Sequence, residues 1–165
     1  MMMLDAFFEI NRNYKDIWLL MVGDGPAGSL LKRRVQELQI GHRVIFTGFK
    51  ATPFRYLCAM DIFLLSSHTE GTSMTLLEAM SIGIPAVVTS VGGNPEILED
   101  NATGLLTPSD DHHRFAEAIR YLVENPDIAN KMGSSANKVF HKNFAVENML
   151  SAYMQTYHAI ISNSI

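Results

Sequence analysis

Short apolar runs, each followed by a small polar loop and then a helical stretch, decide what this chain can fold into. Residues 17–22 (Ile-Trp-Leu-Leu-Met-Val) run directly into Gly23-Asp24-Gly25-Pro26. That is the pattern of a strand buried on both faces, a tight turn, and a helix opened by proline, here over roughly residues 27–38. Val44-Ile45-Phe46, closed by Gly48, gives a second strand; residues 54–60 a helix; residues 62–65 a third strand. A helix over 73–81, a strand over 86–89, a helical turn over 95–98 and a short fifth strand over 104–106 follow. Beyond these the pattern is helical. Asp110 can cap a helix over 115–123, Pro126 opens another, and residues 145–161 repeat apolar side chains at Val146, Met149, Leu150, Tyr153, Met154, Tyr157 and Ile160. Ahead of the first strand, residues 5–13 read as the end of an amphipathic helix (Leu4, Phe7, Phe8) behind three methionines, as though the chain starts in mid-architecture. Buried strands alternating with helices need crossovers, so the fold class is α/β, a doubly wound, Rossmann-like parallel sheet with C-terminal helices. The 165 residues suit one domain, 1–165.

Composition excludes several functions. With 13 Lys+Arg against 17 Asp+Glu the net charge is −4, and no stretch gathers bases densely enough to follow a phosphate backbone, so no nucleic acid is expected. No apolar run approaches the roughly 20 residues of a membrane span, and no signal peptide precedes the first strand, so a soluble, cytoplasmic protein is expected. The single Cys58 rules out an internal disulfide and fits a reducing compartment; its mostly apolar helix marks it as a core residue. Asp110-Asp111-His112-His113 offers ligand types for a metal, but neighbours at a helix start point in different directions, and no metal is expected.

In a doubly wound sheet ligands bind at the carboxyl ends of the strands, which singles out the loops at 23–28, 48–52, 66–73 and 90–94. The first contains Gly23, Gly25 and Gly28 in the dinucleotide spacing G-x-G-x-x-G. An acid inside the loop (Asp24) and the lack of a ribose-binding acid after the second strand, which ends in Gly48-Phe49-Lys50, favour a plain tight turn. The third loop carries more. Ser66-Ser67-His68-Thr69-Glu70-Gly71-Thr72-Ser73-Met74-Thr75-Leu76-Leu77-Glu78 is a buried strand's end, a polar loop, and a helix whose first turn is rich in Ser and Thr and free of acids. Open amides and the positive dipole end make such a start a site for an anion such as phosphate. Glu70 and Glu78 flank it, and carboxylates beside an anion are costly unless they bind hydroxyls or a metal. Sugar hydroxyls are the natural partners; the plainer alternative is a local cap at Glu70 and an ordinary helix residue at Glu78. His68 and Glu96 are further polar residues of these loops.

This segment closely resembles the signature of retaining glycosyltransferases of the two-domain GT-B class, family 4 (group 1) type, in which two glutamates separated by seven residues flank a glycine-containing loop. Val22-Gly23-Asp24-Gly25-Pro26, Val44-Ile45-Phe46-Thr47-Gly48-Phe49, Glu78-Ala79-Met80, Pro85-Ala86-Val87-Val88, Gly92-Gly93-Asn94-Pro95-Glu96 and Gly104-Leu105-Leu106 extend the likeness across residues 17–123. The resemblance implies the C-terminal, donor-binding half of a GT-B enzyme that takes a nucleotide-diphosphate sugar and transfers the sugar with retention, without an obligatory metal or other cofactor. It implies that Glu70, the catalytic position, contacts donor hydroxyls near the anomeric carbon. The amides of Gly71, Thr72, Ser73, Met74, Thr75 and Leu76 hold sugar and diphosphate, Glu78 accepts from the ribose, and Gly48, Phe49 and Lys50 lie near the base. A saccharide or lipid-linked acceptor in polysaccharide or glycolipid synthesis follows by the same route, as does a peripheral place at the inner membrane face through another domain.

Two departures shape the expectations. Thr72-Ser73 stands where many members carry an aromatic residue and Gly. The family's donor domain also begins with a further strand and an Arg/Lys loop, and an acceptor-binding N-terminal domain precedes it; neither is in this chain, so a donor-binding fragment, inactive alone, is expected. The alternatives are a noncatalytic nucleotide-binding module or a nucleotide-sugar epimerase of the same fold. The helix over 145–161 has no Lys or Arg, which excludes a basic interfacial helix; its apolar stripe packs on the domain or, as the family implies, reaches toward the N-terminal domain.

Overall fold

A computed structural model describes residues 1–162. Helix α1 (Met2–Asn11) precedes strand β1 (Leu19–Met21), followed by α2 (Gly28–Glu37), β2 (Val44–Phe46), α3 (Phe54–Leu57), β3 (Phe63–Leu65), α4 (Met74–Ser81), β4 (Ala86–Thr89), α5 (Asn94–Ile97) and β5 (Leu105–Thr107). Helices α6 (His112–Glu124), α7 (Pro126–Asn143) and α8 (Val146–Ser162) complete the order. Every strand pairing is parallel, as buried strands joined by helices require: β1 with β2, and β4 between β3 and β5. The expected single sheet is therefore divided, because β1 and β3 are not paired with each other.

The α/β layering follows the side-chain alternation of β4, whose four residues are all buried. Ala86 and Val88 face a core with Phe63, Leu76, Leu77 and Met80, beneath α3, α4 and α7. Val87 faces the opposite core, where Phe115, Ile119 and Leu122 of α6 meet Met2, Ala6 and Ile10 of α1. Each such aliphatic side chain withdrawn from water contributes roughly 1.5–3 kcal/mol, which explains why a four-residue strand suffices to hold two helical layers. A third core joins Leu4 and Phe7 of α1 to Leu19, Val35, Ile40 and Val44. The lower end of the α1–α6 layer is tied by the Tyr14 hydroxyl, which donates to the Glu124 carboxylate and so holds its own ionisation above the ordinary tyrosine range.

Several boundaries differ from the sequence expectation. Helix α1 runs from Met2 to Asn11, starting and ending earlier than the stretch over 5–13 that the sequence suggests. Helix α3 stops at Leu57, so Cys58 falls at its C-cap and is exposed, which overturns its reading as a core residue. The cap of α6 is Asp111, whose side chain accepts from the Arg114 amide at 3.0 Å; Asp110 sits one residue outside at φ +64° and points to His68. Most consequentially, α8 buries none of its residues: Val146, Met149, Leu150, Tyr153, Met154, Tyr157 and Ile160 are all more than half exposed, so the stripe does not pack on this domain. Among the described residues no helix is long and apolar enough to cross a membrane.

Helix α4, which carries the candidate loop, is anchored at its far end. Gly83 takes the left-handed conformation (φ +74°), letting the Gly83 amide donate to the Met80 carbonyl and the Ile84 amide to the Ala79 carbonyl, the double bond of a Schellman stop. Helix α7 crosses this turn so closely that a Cβ on Gly133 would lie 2.0 Å from the Gly83 carbonyl oxygen, while Asn137 Nδ2 donates to the Ser81 carbonyl at 2.6 Å. Gly133→Ala is expected to lower stability by about 1–3 kcal/mol through overpacking against backbone, read as a fall in the urea midpoint; an unchanged midpoint would refute the close α4–α7 crossing.

Candidate functional site

At the carboxyl ends of β3 and β4 two loops lie backbone to backbone. Thr89, at the end of β4, is fully buried, and its hydroxyl donates to the Ser67 carbonyl at 2.7 Å. The Gly93 amide donates to the Gly71 carbonyl at 3.2 Å. Gly92 has φ +52°, and a Cβ there would sit 1.7 Å from the Glu70 carbonyl oxygen; one on Gly93 would sit 2.5 Å from the Gly71 carbonyl oxygen. Only glycines permit this approach. Asn94, wholly buried, donates from Nδ2 to the Thr89 carbonyl at 3.0 Å and fixes the start of α5 beneath the pair.

Glu70 is partly buried, and its Oε1 accepts a 2.6 Å hydrogen bond from the Ser67 hydroxyl, which orients the carboxylate from within its own loop. Ser73 caps α4: buried and in extended conformation, its Oγ accepts from the Leu76 amide at 3.4 Å, and its carbonyl accepts from the Leu77 amide. Leu76 is therefore engaged within the protein, and the open amides at the helix start are those of Met74 and Thr75. No acid lies in the first turn, so the dipole and these amides present a positive end. Gly71, Thr72, Met74 and Thr75 are exposed. Glu78, about one turn along, is partly buried, and among the described residues its carboxylate makes no hydrogen bond or ion pair within the protein. It lines a cavity of about 320 Å³ with Met74, Phe140 and Met149, and with Thr75 it lines the larger cleft between β1 and β3.

The loop after β2 belongs to the other strand pair. Gly48 (φ +67°) accepts from the Gly23 amide at 3.2 Å, Phe49 is 76% exposed, and Lys50 Nζ lies 5.6 Å from the centre of the Tyr56 ring. Pro53 and Leu57, just beyond, line the same cleft as Thr75 and Glu78, which is how Gly48, Phe49 and Lys50 relate to the main loop. In the G-x-G-x-x-G turn Asp24 Oδ1 accepts from the Gly25 amide at 2.8 Å and the Gly25 carbonyl accepts from the Gly28 amide at 3.0 Å. The turn satisfies itself, as a structural turn does.

His68 is exposed with Nδ1 3.2 Å from Asp110, and Glu96 is exposed on α5. The histidine pair behaves differently from expectation: the rings of His112 and His113 lie 4.0 Å apart, and Glu9 of α1 brings the carboxylate and both imidazoles to within 4.8 Å of one another. Only folding, which packs α1 on α6, could reveal that cluster. Ser67 and Thr89 are the other contributors that sequence reading missed; a hydroxyl at the end of a buried strand is the signal that marks them.

A sequence profile described as "Glycosyl transferases group 1" matches residues 2–139. The chain belongs to this family. It is similar to N-acetyl-alpha-D-glucosaminyl L-malate synthase of Bacillus anthracis, at 33% identity over 146 residues, covering 88% of this chain and 38% of that protein. It is also 30% identical over 146 residues to a GDP-mannose-dependent alpha-(1-6)-phosphatidylinositol monomannoside mannosyltransferase of Mycobacterium tuberculosis, covering 82% of this chain and 38% of the relative. Among solved structures, Anabaena HepE in complex with UDP superposes with a TM-score of 0.85 at 24% identity, over 94% of this chain and 44% of that one. The C-terminal domain of the group 1 protein LpcC from Francisella tularensis superposes at 0.80 and 22% identity, over 88% of this chain and 78% of that domain. The fold is therefore that of a GT-B C-terminal domain, and the chain spans about two fifths of the length of the two curated relatives named.

Proposed function

We propose that this chain is the donor-binding part of a retaining glycosyltransferase, holding a nucleoside-diphosphate sugar for transfer to a saccharide or lipid-linked acceptor. The observation that carries the reading is the acid-free start of α4, with open amides at Met74 and Thr75, set between a carboxylate held by Ser67 and a second carboxylate left without a partner. The departing diphosphate gathers negative charge, and fixed amides and the helix dipole stabilise it without rearranging, so no metal is obligatory. Glu70 receives the sugar hydroxyls near the anomeric carbon, Glu78 the ribose hydroxyls, and exposed Phe49 offers its face to the base. The relatives support the class of donor: one is described as GDP-mannose-dependent, and HepE was solved with UDP. TarM, solved with UDP and an oligosaccharide, supports a saccharide acceptor. The lone cysteine fits action on the cytoplasmic side.

An amide-resolved NMR titration with UDP, GDP and ADP tests the site. The expected result is that at least one of them shifts the amides of Met74 and Thr75 and the side-chain region of Glu78, and raises the melting midpoint; near 100-fold excess over Kd the stabilisation is about 2.7 kcal/mol. Shifts confined to the Gly23–Gly28 turn would reverse the assignment.

A further inference from the structure

Helices α1 and α6 bring together three metal-ligating side chains that the donor site does not use. His112 precedes Phe115 by three residues and Ala116 by four, and His113 precedes Ala116 by three, so both histidines flank the face that α6 buries against α1. Glu9 follows Ala6 by three residues and adjoins Ile10, the α1 residues packed in the same core. Consecutive helical residues differ by about 100° around the axis, yet the His112 and His113 rings lie with their centres 4.0 Å apart and 35° between their planes. A Glu9 carboxylate oxygen stands 2.9 Å from His113 Nδ1, and one ligand atom from each of the three residues lies within 4.8 Å of the other two. Among the described residues the His112 imidazole makes no hydrogen bond within the protein, so its nitrogens are available.

We propose that Glu9, His112 and His113 form a site for a divalent transition-metal ion of the zinc type, which clamps α1 to α6. Ligands about 2.1 Å from a tetrahedral ion stand roughly 3.4 Å apart, so the widest pair has to close by about 1.4 Å at most, within reach of a side-chain rotation. Glu9 and His113 are already inside that spacing. Two imidazoles and one carboxylate suit Zn²⁺, whereas Mg²⁺ and Ca²⁺ ask for shells of oxygen. Three protein ligands leave a fourth position to water, and the positive end of α6 opposes a cation, so the ion exchanges with solution rather than being built in permanently. The frame is set in advance: Ala6, Phe115 and Ala116 are buried between the helices and hold the ligand-bearing turns in place, which lowers the ordering cost of binding. A plain ion pair would account for Glu9 beside His113 but not for the second ring drawn alongside. This site does not depend on the donor reading.

The test titrates the tag-free chain with Zn²⁺ by calorimetry and follows the imidazole signals by NMR. One ion is expected to bind per chain, shifting the ring signals of His112 and His113 and leaving those of the exposed His42 in place, while Mg²⁺ shifts neither. Glu9→Gln, which keeps a hydrogen-bonding group beside His113 but removes the anionic ligand, and His112→Ala are each expected to weaken Zn²⁺ binding by about tenfold or more, and His42→Ala to leave it unchanged. Saturating Zn²⁺ should also raise the urea midpoint further in the wild-type chain than in either cluster variant, because the ion binds the docked helices. Equal Zn²⁺ affinity in the wild-type chain and both cluster variants would overturn the proposal, as would an equal loss in His42→Ala. So would ring shifts of the same size from Mg²⁺, which would reduce the cluster to a charged surface beside an ordinary ion pair.

Discussion

Gly92→Ala is expected to lower stability by about 2–5 kcal/mol and to abolish nucleotide binding in whatever fraction stays folded. Two costs meet at this position. A left-handed backbone costs an L-residue roughly 1–2 kcal/mol, and overpacking adds about 1–3 kcal/mol. Here the added methyl would fall 1.7 Å from the Glu70 carbonyl oxygen, inside any tolerable contact. Relief is available only by moving the Glu70–Gly71 backbone, which also carries the Gly93–Gly71 hydrogen bond and the carboxylate oriented by Ser67. Denaturant unfolding and UDP or GDP titration of the same sample check both halves. A variant with wild-type midpoint and affinity would show that the loops after β3 and β4 do not touch.

Glu78→Ala is expected to do the reverse, leaving stability within about 0.5 kcal/mol while weakening nucleotide binding by roughly 12- to 150-fold. The stability half follows from the structure: the carboxylate has no partner within the described protein, so nothing is orphaned by its loss. The affinity half follows from chemistry, because hydrogen bonds between a carboxylate and ribose hydroxyls are charge-assisted and worth about 1.5–3 kcal/mol. Calorimetry with the nucleoside diphosphate checks the second half, and 2′,3′-dideoxy nucleotide provides the control, since it should bind both proteins equally. Undiminished affinity in the variant would make Glu78 an ordinary helix residue.

The strands were legible because a strand buried on both faces needs an unbroken apolar run, and 86–89 is read to the residue. The loop after β3 was legible as a strand end running into a Ser-capped helix, because a hydroxyl residue ahead of an apolar run is an N-cap signal. What escaped depends on approach through space. Cys58 lies in an apolar neighbourhood, yet α3 ends one residue earlier and turns it outward. Two consecutive aspartates compete to cap α6, and the winner is set by Asp110 entering a left-handed turn toward His68. The stripe on α8 has the periodicity of a buried helix, and periodicity states that a face wants cover without saying where the cover is. Glu9 meets His112 and His113 only because α1 lies along α6, and Gly92-Gly93 reads as a turn until the opposing carbonyls are in place.

The joined loops after β3 and β4 also divide the site by how freely it can evolve. Backbone at residues 70–71 and 92–93 is fixed by contact, and Thr89 and Asn94 are buried beneath it, so change there is punished by unfolding. Thr72, Met74 and Thr75 stand exposed on the same frame with little packing to lose. If the donor reading proposed above holds, single substitutions at these three positions would retune which sugar is accepted while the frame stays intact, so that a changed donor preference would need few mutational steps.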